Sequence, residues 1–94
     1  MPEETLFKSE STQNREDIAS YLRKVADNLE NGNSLTLRTG DQSVTMDPPP
    51  RLTFEVKAER EGATGKPGEL SVEFELEWDE NGGDGGSGGS LEIE

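Results

Sequence analysis

The residues of this chain that could do chemistry are its carboxylates. Glu73, Glu75, Glu77 and Asp79 fall at every second position in "ELSVEFELEWDE". Oxygen ligands of this kind suit hard cations, and a close pair of them suits general acid–base work. Most other chemistry is removed by composition. The 94 residues include no histidine and no cysteine. That excludes the commonest general base, the commonest nitrogen ligand, thiolate metal sites, thiol nucleophiles and disulfides. Ser, Tyr and Lys are present, but none stands in a recognisable nucleophile arrangement. "TGDQS" at 39–43 has a glycine but lacks the Gly-Lys-Ser/Thr ending of a phosphate loop. "GGDGGSGG" is one imperfect unit of a glycine–aspartate repeat, and such repeats need stacking to hold calcium, so it reads as a linker.

The alternation also limits what the acids can do. Residues two apart on a strand are separated by about 6.6 Å. Calcium needs six to eight oxygens converging on one point. A flat acidic row therefore suits diffuse, hydrated cations, and no metal site or other cofactor is expected. An acid–base pair would need a cleft, and a chain this small offers little concavity. The expectation is a protein that is not an enzyme, with no catalytic residues.

Two further residues are candidates for interaction. Trp78 closes the alternating stretch and could anchor a partner, but its inward parity favours a cap on the end of the core. Arg38 is a cation on the outer side of a predicted strand. It could receive an anionic group, and pairing with a neighbouring glutamate is its default role.

The elements that must position these residues follow from periodicity. Asn14 is a good N-cap, with Glu16 and Asp17 at the positive end of the helix dipole. Ile18, Leu22, Val25 and Leu29 then form one apolar stripe, and Gly32 is placed to end the helix. "SLTLRTGDQSVTM" reads as a hairpin of two short strands around "TGDQ", and "DPPP" at 47–50 breaks the ladder. Two longer strands follow. Leu52, Phe54, Val56 and Ala58 share a face in the first; Leu70, Val72, Phe74, Leu76 and Trp78 share one in the second. Residues 5–12 read as a short additional strand. The expected fold is α+β, in the order β-α-β-β-β-β. One helix lies on one face of a mostly antiparallel sheet of four to five strands, and the other, acidic face meets water. The expected core joins the helix stripe to Leu35, Leu37, Val44, Phe54, Val56, Val72, Phe74 and Leu76. Residues 1–80 form this domain. Residues 81–94 form a flexible, acidic Gly/Ser-rich tail ending in "LEIE".

The net charge is −12, from 21 acids against nine bases. Such a surface repels nucleic acid and anionic lipid. Leu, Ile, Val and Phe make up only 18 of the 94 residues, a lean core whose regular spacing nonetheless argues for order. At about 1 M salt the Debye length falls to about 3 Å, so repulsion across an acidic face nearly vanishes. The composition therefore fits a salt-loving organism. "MPEETLFKSE" has neither the basic nor the apolar region of a signal peptide. No apolar run nears the roughly 20 residues needed to span a bilayer. A cytoplasmic location is expected.

The order of "LFKSE", "NREDIASYLRKVADNLENG", "SLTLRTGDQSVTMDPP", "LTFEVKAERE" and "ELSVEFELEW" resembles the amphi-Trp domain family. The resemblance covers about residues 5–79 and leaves the tail outside. It implies a small protein of halophilic archaea with an amphipathic strand ending in tryptophan, here Trp78. It brings no established activity and no catalytic or ligand residues. Function is left to two readings. One is a binding or assembly module, with homodimerisation through an exposed strand edge as one form of it. The other is a small-ligand or cation-binding protein using the acidic face.

Overall fold

A computed structural model describes residues 3–80 and 91–94. The described elements run α1 (Arg15–Glu30), β1 (Leu35–Thr39), β2 (Gln42–Met46), β3 (Thr53–Glu61) and β4 (Glu69–Glu77). The α+β class is as expected. The chain forms two compact units, residues 1–50 and 51–94.

In the first unit, Asn14 is the N-cap of α1 by backbone geometry. Its carbonyl accepts from the Ile18 N–H at 3.1 Å, although its side chain makes no capping bond. Glu16 and Asp17 lie in the first turn, where the dipole favours anions. The helix ends in a Schellman motif. The Gly32 N–H donates to Leu29 O at 3.2 Å and the Asn33 N–H to Asn28 O at 2.8 Å. Gly32 holds φ +69° with open space where a Cβ would go. Gly32→Ala should therefore lower stability by about 1 kcal/mol through backbone strain alone, read as a drop of several degrees in thermal unfolding. An unchanged melting temperature would show that this helix end does not form in solution.

β1 and β2 pair antiparallel across Gly40–Asp41, as the "TGDQ" signal predicts. Leu35 faces Met46 and Leu37 faces Val44. Thr36 faces Thr45, with their hydroxyl oxygens 3.0 Å apart. α1 lies against β1. The half-buried side chains of this unit include Phe7, Val25, Leu29, Leu35, Val44 and Met46.

In the second unit, β3 and β4 pair antiparallel over their full nine residues. Phe54 faces Leu76, Val56 faces Phe74 and Ala58 faces Val72, so the two predicted apolar faces are one face. Phe54 and Phe74, diagonal neighbours, stack with centroids 6.2 Å apart and ring planes 11° apart. The loop between the strands begins and ends in a close backbone approach. A Cβ on Gly62 would stand 2.8 Å from the Gly68 Cα, and one on Gly68 would collide with the Glu61 carbonyl oxygen. The Arg60 guanidinium donates to the carbonyls of Gly62 at 3.4 Å, Ala63 at 3.2 Å and Lys66.

Three expectations are corrected. The strands form two separate two-stranded ribbons, β1–β2 and β3–β4, not one sheet of four or five. The proline run at 48–50 falls between the ribbons and supplies no ladder donors. Residues 5–12 carry no strand. Leu6 and Phe7 are adjacent, so an extended chain sends them to opposite sides, and Leu6 remains 59% exposed. Finally, no hydrophobic side chain among the described residues is fully buried. Val25, Leu29, Leu35, Val44, Val56 and Leu76 are half-buried, while Ile18, Leu22, Leu37, Phe54, Val72 and Phe74 are exposed. With so few aliphatic residues, each ribbon has apolar side chains for one layer only.

Candidate functional site: the acidic face of the β3–β4 ribbon

The face opposite the aromatic stack is built by register. Glu55 faces Glu75, Lys57 faces Glu73, Glu59 faces Ser71, Glu61 faces Glu69 and Thr53 faces Glu77. Glutamates therefore oppose each other at Glu55–Glu75 and Glu61–Glu69. Glu59 meets a serine. Carboxylate oxygens of Glu55, Glu75 and Glu77 lie within 4.8 Å of one another, all on exposed side chains. Beside them, Glu55, Lys57, Glu73 and Glu75 line a shallow depression of ≈ 60 Å³. Asp79 follows two residues after the end of β4 and lies outside the ladder.

Lys57 is the one cation within this row. Its ammonium stands 2.8 Å from a carboxylate oxygen of Glu59, two residues along the same face. The hydrogen bond that the Lys57 ammonium donates to Glu59, then the charges of Glu59, Glu73 and Glu55, raise the Lys57 pKa above its ordinary value. The side chains of this pair are 52% and 54% exposed, so water screens it and it adds little stability.

This geometry defines what the face can do. Three exposed carboxylate oxygens within 4.8 Å of one another draw cations toward the surface. They fall short of the shell that calcium requires. A depression the size of a few waters does not enclose a substrate against solvent.

Trp78 lies one residue past β4 and is half-buried, as a cap on the end of a core would be. Arg38 is exposed on β1 and faces Ser43 across the hairpin. The default pairing with a glutamate is not what the structure holds: among the described residues no carboxylate pairs with it. Arg38 belongs to the first unit, and Trp78 and the acidic row to the second.

Two residues escaped the sequence reading. Gln42 acts as a clip. Its Oε1 accepts from the Lys8 N–H at 3.3 Å and its Nε2 donates to the Lys8 carbonyl at 3.1 Å. The amide thus mimics one rung of a β-ladder and ties the N-terminal segment to the hairpin. Arg60 organises the β3–β4 loop through three carbonyls. Its place before "GATGKPG", rich in orphan carbonyls, was the available signal for it.

The fold and the face together define a small acidic α+β protein with one amphipathic strand closing on a tryptophan. The chain belongs to the Amphi-Trp domain family, whose model matches residues 1–94 and so includes the tail that the sequence resemblance left outside. No curated protein and no solved structure matches the chain. Among the described residues, no helix is long and apolar enough to cross a membrane.

Proposed function

We propose that this protein is a non-enzymatic binding or assembly module of a salt-adapted archaeal cytoplasm, homodimeric through an edge strand. The observation that carries this reading is the pair of two-stranded ribbons. Each described strand pairs on one side only, so each offers a row of backbone donors and acceptors to another chain. Ribbons of two strands are marginal on their own and gain from a further strand. The net charge of −12 makes nucleic acid and anionic membranes poor partners.

Assembly should strengthen with KCl, because screening weakens repulsion between two acidic copies. Sedimentation equilibrium in dilute buffer and in molar KCl measures this directly. A growing dimer fraction at higher salt is expected. A strict monomer at hundreds of micromolar in both would overturn self-association. The second reading, a cation- or small-ligand-binding role, draws on the convergence of Glu55, Glu75 and Glu77. It requires saturable NMR shifts localised to those residues on calcium or magnesium titration, where screening alone gives weak, uniform ones.

A further inference from the structure

We propose that a second copy of this chain docks on the outer edge of β3, antiparallel, with Val56 on the two-fold axis. The inference rests on the assembly reading above and names its surface. A two-fold interface uses the same patch on both copies, so the strand that forms it must complement its own reverse. Charge sorts the four strands by that requirement. β4 carries Glu69, Glu73, Glu75 and Glu77 and no cation, so a second β4 beside it offers carboxylates as its only charges. β1 carries the single charge of Arg38, and β2 carries none. Both have five residues, against nine in β3, and so fewer backbone groups to pair.

β3 alone carries both signs alternating on one face, as Glu55, Lys57 and Glu59. It pairs with β4 and with no other strand among the described residues. With Val56 on the axis, Glu55 of each copy faces Lys57 of the other, twice. On the opposite face Phe54 meets Ala58, large against small, and Val56 meets itself. Neighbouring registers fail. An axis at Lys57 sets lysine on lysine and Glu55 on Glu59. An axis at Ala58 pairs Lys57 with Glu59 but places Glu55 on Glu61 and Val56 on Arg60. An axis at Glu55 sets that carboxylate on itself. The favoured register joins the ribbons into one sheet, β4–β3–β3–β4. It also doubles the width of the apolar face.

The test is sedimentation equilibrium of the full chain in about 0.5 M KCl, where charges in contact still interact while distant ones are screened. Lys57→Glu should weaken the dimer by about tenfold, since both symmetry-related pairs turn repulsive. Adding Glu55→Lys to that variant restores opposite charges with reversed polarity and should recover affinity to within about threefold. Circular dichroism checks that both variants fold. Amide exchange on the unaltered chain gives a reading that needs no variant: alternate β3 amides should gain protection as concentration rises, and β4 amides should not. A dimer indifferent to both substitutions, or protection gained on β4 or the β1–β2 hairpin instead, overturns the β3 register and leaves assembly standing. A monomer throughout overturns both.

Discussion

The melting temperature of this protein should rise by roughly 10 °C between dilute buffer and molar KCl. The source is repulsion that the register makes specific. Glu55 stands opposite Glu75, and Glu61 opposite Glu69. Like charges directly across a ladder each cost tenths of a kcal/mol, and the net charge of −12 adds a diffuse term over the whole surface. A total of about 2 kcal/mol corresponds to a shift of this size in a domain of fewer than a hundred residues. The Lys57–Glu59 pair on this face is solvated and offsets little of this repulsion. Because these charges are exposed, a Debye length of about 3 Å removes most of their mutual repulsion. A melting temperature that stays flat across the range would show that the acidic face costs nothing in dilute buffer, and the salt-adapted reading would fall with it.

What the sequence made legible was local. Asn14 and Gly32 mark the ends of α1 because caps are written in one or two residues. Thr39 and Gln42 mark the first hairpin for the same reason. The faces of β3 and β4 follow from a period of two that holds throughout β4 and in β3 as far as Arg60, a cation at the apolar parity. What the sequence hid was which strands neighbour which. Periodicity gives a strand its face and says nothing of its lateral partner, so four strands read equally as one sheet or as two ribbons. Residues 5–12 show the same limit: a side chain, Gln42, takes the place of a strand partner for Lys8. The acidic cluster was half legible. Alternation put Glu75 and Glu77 on one face and suggested Glu55 as a neighbour, but only the register sets Glu55 directly opposite Glu75. The Gly/Ser-rich stretch at 81–90, expected to be a flexible linker, lies outside the described residues, while 91–94 carry no helix or strand.

Substitutions at two adjacent positions, Phe74 and Glu75, should move stability in opposite directions. Phe74→Ala removes a ring stacked at 6.2 Å on Phe54 and facing Val56. Full burial of such a ring would make the cost about 3–5 kcal/mol. Phe74 is 50% exposed, so about half of that contact area is at stake, and the expected loss is about 2 kcal/mol. In a marginal domain that is a large fraction of the whole, enough to populate the unfolded state near room temperature in dilute buffer. Glu75→Gln keeps the shape of the side chain and removes one charge from the pair opposite Glu55. It should stabilise the protein by tenths of a kcal/mol in dilute buffer and leave it unchanged in molar KCl, where that repulsion is already screened. The Phe74→Ala loss, being apolar, should persist at both salt concentrations. Urea unfolding of the two variants at low and high KCl separates these outcomes. If both variants lose stability alike, the face assignment of β4 is wrong. If Glu75→Gln gains as much in molar salt as in dilute buffer, its effect is not the relief of repulsion across the ladder.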